Sequence, residues 1–289
     1  MKGAFYLVLT GFLLGTAGIW VKLIGENISP FLLTFFRTIL AALLVLVFAV
    51  STGNADIRGM FRMKRREAVY FLAAGFFGVT IGFGFFVKSF SYIPVASAVF
   101  LVYVYPVATA LLSMVLLKEK MGKRDVLSLV MVIAGVWLIY GSEGGMGTNV
   151  FGNLLALSAG LGYSVLLVFM RFFERRGMPY WKVVFWPMVT GGMILLAFTP
   201  FETFAFSVEG YVPPYLLALA LVSFAGYVLY AKALGYVKAH IAVIVVALTE
   251  PLTAAVLAFM ILGEVLPRYV LAGGLLIILA NILLNPRHN

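Results

Sequence analysis

The chain has 289 residues, of which 63% are hydrophobic and only 11% are charged, and its formal net charge is +10. This composition excludes a soluble globular domain and is typical of a polytopic helical membrane protein. The sequence has no cysteine and only two histidines, His240 and His288. Disulfides are therefore excluded, and thiolate or imidazole metal sites and histidine triads are nearly excluded.

Ten apolar segments follow one another along the chain, each long enough to cross a bilayer as a helix. The first comes directly after Met1 and Lys2, as in a signal peptide, but it is long enough to span and has a counterpart in the second half. We therefore predict an all-α integral membrane protein with ten transmembrane helices, at about residues 3–22, 30–50, 67–87, 93–117, 125–141, 150–171, 180–200, 213–232, 239–262 and 269–285.

The basic residues fall mainly on one side of these spans, whereas the other side holds only Lys22, Lys88 and Arg268. The positive-inside rule then predicts a multi-pass protein of the cell (plasma) membrane with both termini in the cytoplasm. The positive charge reports topology and contact with anionic lipid headgroups. We expect no nucleic-acid partner, because the sequence shows no extended basic face. The main basic clusters are 58–66, 118–124, 171–182 and 232–238.

The two halves of the chain resemble each other. Segment 88–107 (KSFSYIPVASAVFLVYVYPV) and segment 232–252 (KALGYVKAHIAVIVVALTEPL) each begin with Lys, have Tyr four residues later and then an apolar run that ends at Pro106 or Pro251. Each half has five predicted spans, an odd number, so the second half has to insert upside down relative to the first. Inverted repeats are typical of transporters that alternate access around a midplane site.

These observations predict two inverted five-helix repeats, residues 1–141 and 150–289, joined by a linker at 142–149. Thirteen residues after each proline the span ends at a glutamate, Glu119 or Glu264. We expect these two glutamates to pair with nearby cations or to cap the next helix, and not to touch substrate.

Two five-helix repeats of this kind resemble the EamA branch of the drug/metabolite transporter superfamily. In each, the apolar–Pro–apolar–Glu pattern is followed by a last helix that contains Ala-Gly (IAGVWLI, 133–139) or Ala-Asn (LANILL, 279–284). The stretch LTEPLTAAVLAFMILGE (248–264) is similar to the second-repeat pattern of that family. The resemblance covers essentially the whole chain and implies a secondary transporter of small organic metabolites, often an exporter. The chain departs from the family at Lys88 and Lys232, where small residues are usual, and in LLG of its first span, where Leu-Trp-Gly is frequent.

Glu250 lies about 12 residues from either end of its span, and therefore near the membrane midplane. A carboxyl group there has to face a cavity or a partner, or remain protonated. It is either a binding or proton-coupling group, or a neutral glutamate that is hydrogen-bonded to a neighbouring helix. Pro251 and Pro106 each remove one helical hydrogen bond and are predicted to bend their helices, either to shape a cavity or as simple packing kinks.

Arg37 lies roughly 10 Å below the outer end of its span, at a position where the family often shows arginine. Three roles are open for its side chain: to snorkel outward, to bind a substrate carboxylate, or to pair with Glu250. Lys88 and Lys232 occupy equivalent positions at opposite membrane faces, where they either snorkel or attract anions.

Polar, aromatic and small residues on several spans share faces that are predicted to line a partly wet cavity, and Tyr105 is the counterpart of Glu250 in the first half. The alternative is that small and hydroxyl residues only allow close helix packing. The candidates for substrate binding or proton coupling are Glu250, Arg37, Tyr103, Tyr105, Tyr163, Ser164, Tyr227, Tyr230, Thr249, Thr253, Lys88 and Lys232.

The sequence predicts a secondary active transporter of small metabolites, such as amino acids or related amphiphiles, that exports them by alternating access. Alternatives are efflux of drugs or organic cations, with Glu250 and tyrosines as the binding groups, and proton-coupled uptake. An intramembrane enzyme is a different class, which the lack of paired intramembrane acids and of an HExxH motif disfavours. The expected partners are a small-molecule substrate, the lipid bilayer, and a coupling proton or counter-transported solute. We expect no cofactor and no metal.

Overall fold

The computed structural model describes residues 2–51, 59, 61–117, 123–141, 149–174, 176–201, 205–207, 209–234, 236, 239–265 and 267–283. Throughout these residues the regular structure is helical, with no strand beyond one isolated bridge. Six helices of the described part of the chain are long and apolar enough to cross a membrane, and four further apolar helices there are shorter. The chain is therefore an all-α, multi-pass membrane protein. The six are Lys2–Asn27, Pro30–Ser51, Arg65–Ser89, Val150–Met170, Trp181–Phe198 and Val212–Tyr230.

Helices α1 to α8 lie in the first half of the chain. A short interruption at Thr16 separates α1 from α2 within one long apolar span. The helices are α1 (Lys2–Gly15), α2 (Ala17–Ile24), α3 (Pro30–Ser51), α4 (Arg65–Ala74), α5 (Phe86–Ser89), α6 (Val95–Val102), α7 (Tyr105–Leu117) and α8 (Lys123–Gly141).

Helices α9 to α13 lie in the second half, and each corresponds to one predicted span. They are α9 (Val150–Glu174), α10 (Tyr180–Phe198), α11 (Val212–Leu234), α12 (Ala239–Leu262) and α13 (Arg268–Leu283).

Residues Gly75–Phe85, between α4 and α5, form a π-helical segment of 11 residues, called the π segment below. The π-helix is rare, and where it occurs it is frequently found at functional sites. This segment carries Phe83, a buried residue whose ring lies beside the guanidinium of Arg37.

Glycines allow the π segment to pack closely against α9 and α10. Thr80 Oγ1 donates a hydrogen bond of 3.0 Å to the carbonyl oxygen of Gly191 in α10. A Cβ atom on Gly191 would overlap the carbonyl oxygen of Gly75, and one on Gly162 of α9 would lie 2.7 Å from the amide nitrogen of Gly82. Small residues at such crossings let helix backbones approach each other in a membrane protein.

Helix α6 occupies the centre of the molecule, because all of its residues from Val95 to Val102 are buried. A helix that is buried on every side contacts other helices rather than lipid. The largest hydrophobic cluster of the protein includes α6 together with residues of α2, α3, α9, α11, α12 and α13.

Several contacts outside the spans join the two halves of the chain. Ile28 and Phe206 form an isolated antiparallel bridge. It is flanked by hydrogen bonds from Ser29 N to Ala205 O (2.9 Å) and from Ser207 N to Asn27 O (2.7 Å).

Glu264, which follows α12, contacts the beginning of α6 in the other half. Its carboxylate accepts hydrogen bonds from the backbone nitrogens of Val95 (3.0 Å) and Ala96 (3.5 Å). A carboxylate at a helix N-terminus satisfies free N–H groups and opposes the positive end of the helix dipole. Glu264 thus caps a helix, as expected, but the helix is α6 and not the next one, α13. The expectation for Glu119 lies outside the described residues.

Candidate functional site

The site is built around an interruption between α6, which ends at Val102, and α7, which begins at Tyr105. Pro106 lies in the first turn of α7, where its missing N–H is tolerated and leaves the carbonyl of Val102 without its usual helical donor. The predicted bend at Pro106 is thus a two-residue interruption of the helix at Tyr103 and Val104, whereas α12 continues through Pro251 from Ala239 to Leu262.

Two helices of the second half contact this interruption. A Cβ atom on Gly160 of α9 would lie 2.7 Å from the carbonyl oxygen of Val102. The side-chain amide of Asn281 in α13 donates a hydrogen bond of 3.0 Å to the carbonyl oxygen of Tyr103. The non-helical residues are therefore held on both sides, and they direct two tyrosines, Tyr103 and Tyr105, into the molecule.

Tyr103 is the partner of Glu250. Its hydroxyl donates a hydrogen bond of 2.7 Å to Glu250 Oε2 and lies 3.5 Å from the carbonyl oxygen of Val246. The ring of Tyr105 is centred 5.5 Å from that of Tyr103, and the ring of Tyr163 is 6.0 Å from that of Tyr105. Glu250 is only partly buried, so its carboxyl keeps further accepting capacity beside a row of tyrosines.

Arg37 is buried, with 5% of its surface exposed. Its Nε donates a hydrogen bond of 2.9 Å to Ser223 Oγ, and its guanidinium carbon lies 5.5 Å from the centre of the Phe83 ring. The Phe83 ring is 5.0 Å from Tyr163 and 6.5 Å from Tyr227. Arg37 therefore does not snorkel to the surface, and it is in contact with the π segment and α11.

Tyr163 of α9 connects the acidic and the basic parts of the site, since its ring contacts both Tyr105 and Phe83. Among the residues that the structure describes, no ion pair joins Arg37 and Glu250, and each has a hydroxyl group as its partner. The guanidinium of Arg37 and the carboxyl group of Glu250 thus lie in the interior of the spans, on either side of Tyr163, with no direct bond between them in the described part of the chain.

Three hydroxyl candidates bind carbonyls of their own helices. Ser164 donates to Leu161 O at 2.6 Å, Thr249 to Val245 O at 2.8 Å, and Thr253 to Thr249 O at 2.7 Å. Thr249 and Thr253 also pack against α1, where Cβ atoms on Gly11 and Gly15 would overlap them. These contacts favour the close-packing interpretation for the three residues.

The structure describes two of the three remaining candidates, Tyr230 and Lys88. Tyr230 packs with Leu7, Ala233 and Val246. The Lys88 ammonium lies 5.8 Å from the ring centre of Phe31 and 6.0 Å from that of Tyr92. The side chain of Lys232 lies outside the described part of the structure.

Sequence reasoning missed two residues of the site, Phe83 and Asn281. Phe83 gave no signal, because it is one of several phenylalanines in an apolar span. Asn281 could have been noticed, because it is a lone amide inside an apolar span. It entered the prediction only as part of the family pattern LANILL.

The profile of the EamA-like transporter family matches the chain twice, over residues 1–141 and 150–285. An uncharacterized transporter of Archaeoglobus fulgidus is 27% identical over 276 residues, which are 94% of this chain and 92% of the relative. The uncharacterized transporter YvbV of Bacillus subtilis is 26% identical over 262 residues, 89% of this chain and 83% of the relative.

A protein of known crystal structure has the same fold, with a TM-score of 0.68 over 97% of this chain and 95% of that chain at 21% identity. The family match confirms the resemblance seen in the sequence. With an all-helical apolar architecture and charged groups inside it, the chain belongs to the EamA-like transporter family and is a membrane transport protein.

Proposed function

We propose that the protein is a secondary transporter that binds a small zwitterionic metabolite, such as an amino acid, between Arg37 and Glu250. The observation that carries the proposal is that a guanidinium and a carboxyl group lie inside the spans with no ion pair between them among the described residues. A guanidinium has five N–H donors, and Ser223 engages only one of them. The remaining donors suit a carboxylate, while the Glu250 carboxylate suits an ammonium group.

The aromatic residues between the two charges extend the proposal to the rest of the substrate. Tyr105, Tyr163 and Phe83 offer ring faces to an apolar or planar side chain, in line with the expected amphiphile. The same rings and Glu250 also suit an organic cation, for which Arg37 would be unnecessary or unfavourable. Dependence on Arg37 therefore separates the two substrate classes.

The mechanism we propose is alternating access by two inverted five-helix halves, residues 1–141 and 150–289, with a linker at 142–149. The double match of the family profile supports two halves, and the distribution of basic residues supports cytoplasmic termini in the plasma membrane. In this orientation the Ile28–Phe206 bridge and the Glu264–α6 contact lie on the outer side. A proton or a counter-transported solute supplies the energy, and export is the favoured direction.

The test is flux into liposomes that contain the purified protein, measured for a panel of radiolabelled amino acids and for tetraphenylphosphonium as an organic cation. For a zwitterionic substrate, Arg37→Gln and Glu250→Gln each lower flux roughly 10- to 100-fold, because each removes a charge-assisted hydrogen bond. Arg268→Gln, at an exposed arginine outside the site, is the matched control.

Cation flux that survives Arg37→Gln but is lost in Glu250→Gln would support the efflux alternative. If both variants carried every compound of the panel as fast as the wild type, the central-site assignment would be wrong.

A further inference from the structure

We infer that Asn281 is a positioning residue: through the backbone of Tyr103 it holds the tyrosine hydroxyl on the carboxyl group of Glu250. The inference rests on the proposed role of Glu250 in transport. Asn281 touches neither Glu250 nor the space between the charges in any described contact. Its only described hydrogen bond is the one from Nδ2 to the carbonyl oxygen of Tyr103, at 3.0 Å.

The interruption between α6 and α7 makes this hydrogen bond important. Tyr103 caps the C-terminus of α6: its N–H still bonds to Val99 O and Phe100 O at 3.2 Å, but in the described part of the chain no backbone N–H donates to its carbonyl oxygen. A buried carbonyl without a donor is costly, and a residue outside a helix has backbone torsions that its neighbours have to hold in place. The amide of Asn281 provides both a donor and a fixed point for Tyr103, which is 2% exposed.

The surroundings of Asn281 indicate that the hydrogen bond to Tyr103 is the main polar interaction of its amide. The residue is 3% exposed within an otherwise apolar part of α13, and its Oδ1 has no hydrogen-bond partner within the described part of the chain. Burying an amide whose oxygen has no hydrogen-bond partner destabilises a helix bundle. The hydrogen bond that Asn281 donates to Tyr103 offsets part of this cost.

The chain of contacts runs from α13 to α12 through one tyrosine. Asn281 fixes the Tyr103 backbone, and the ring then places its hydroxyl 2.7 Å from Glu250 Oε2. Loss of the first bond lets the interruption relax, and the second bond lengthens even though neither of its own atoms has been changed.

The test follows the carboxyl band of Glu250 by infrared spectroscopy of the reconstituted protein without substrate, in difference spectra between acidic and neutral pH. The band is identified as the one that Glu250→Gln removes. Tyr103→Phe, which removes the hydroxyl donor, shifts this band to higher wavenumber, and Asn281→Leu shifts it in the same direction. Asn153→Leu, at an equally buried asparagine of α9, leaves it unchanged.

A second variant reaches the same interruption from the opposite side. Gly160→Ala pushes a Cβ atom toward the carbonyl oxygen of Val102 and Val104 Cγ1, and it is expected to shift the band as well. If Asn281→Leu is not obtained folded, Asn281→Ala takes its place, because it removes the same donor with a smaller side chain. A Glu250 band that stays at the wild-type wavenumber in the folded variant that is measured overturns the inference.

Flux measured on the same variants separates the inference from the proposed function. We expect Asn281→Leu to lower flux roughly fivefold, the factor that corresponds to loss of one ordinary hydrogen bond. If Glu250→Gln transports normally while Asn281→Leu still shifts the band, the proposed role of Glu250 is wrong and the positioning contact stands. An unshifted band in Asn281→Leu with a flux defect in Glu250→Gln refutes the positioning contact alone.

Discussion

At the residue scale, Arg37 and Glu250 are each accompanied, among the described residues, by a hydroxyl group rather than by an opposite charge. Arg37 has Ser223, and Glu250 has Tyr103. A direct ion pair would satisfy both charges and leave little for a substrate to bind, whereas a single hydroxyl partner orients each charge and leaves it available. The arrangement therefore suits binding better than stability.

Ser223 provides a prediction at this scale. Ser223→Ala removes the acceptor of the Arg37 Nε–H, and a hydrogen bond to a charged group contributes about 1.5–3 kcal/mol, so flux of the zwitterionic substrate should fall roughly tenfold or more. Ser164→Ala is the matched control, since Ser164 is equally buried and donates only to its own helix. Equal flux in the two variants would show that Ser223 does not orient Arg37 for binding.

At the scale of elements, the π segment brings Phe83 to Arg37 and Tyr163. Its position depends on the backbone contact with α10, where Gly75 and Gly191 face each other and Thr80 donates to the Gly191 carbonyl. A regular α-helix over Gly75–Phe85 would rotate the residues that follow relative to those that precede, because its turns are narrower. The glycines thus connect local packing with the shape of the site.

The close contact between the π segment and α10 predicts that two glycine-to-alanine changes differ in their effect on stability. Gly191→Ala introduces a methyl group that overlaps Gly75 O and Val79 Cβ, and overpacking of this kind costs about 1–3 kcal/mol. In Gly82→Ala, the nearest atom is the amide nitrogen of Tyr163 at 3.4 Å, so the change should be tolerated. Thermal unfolding of the two variants in the same detergent checks this, and similar midpoints would contradict the close crossing.

At the scale of the whole molecule, the two halves of the chain contact each other at both ends of the spans. The Ile28–Phe206 bridge and the Glu264 cap on α6 tie the halves together where the proposed orientation has the outside. Toward the opposite end of the spans, two other contacts join the halves. Lys182 lies 3.6 Å from Glu67, and the rings of Phe71 and Phe173 stack with their centres 4.5 Å apart. Alternating access requires the first group of contacts to break in part of the cycle.

A cysteine cross-link tests this requirement. Ile28 and Phe206 are a non-hydrogen-bonded antiparallel pair, whose Cα atoms are typically about 4.5 Å apart, within the range of a disulfide. The chain has no native cysteine, so Ile28→Cys/Phe206→Cys provides the only thiols. Oxidation should abolish flux and a reductant should restore it, whereas each single variant remains active under both conditions. Wild-type flux in fully cross-linked protein would show that these segments need not separate.

The predictable part of the site was the identity of its charges. Glu250 and Arg37 stood out because a charge inside an apolar span is rare and has to have a partner or a cavity. The hydrogen-bond partners of the two residues were harder to predict from the sequence. Tyr105 is the counterpart of Glu250 in the first half, but it is Tyr103 that makes the hydrogen bond. The interruption after Val102 changes the direction of the following side chains, which a regular helical periodicity does not reproduce.

By itself, the amino-acid sequence determined the membrane class, the positions of the apolar helices, the family and the two interior charges. These properties depend on composition and on short stretches of consecutive residues, since the length of an apolar run decides whether it crosses a bilayer. Only the tertiary structure decided that Arg37 binds Ser223, that Glu264 caps α6, and that Asn281 reaches Tyr103. These contacts join residues far apart in the chain. They depend on how each helix is rotated and how closely glycines let it approach its neighbours, which no local pattern contains.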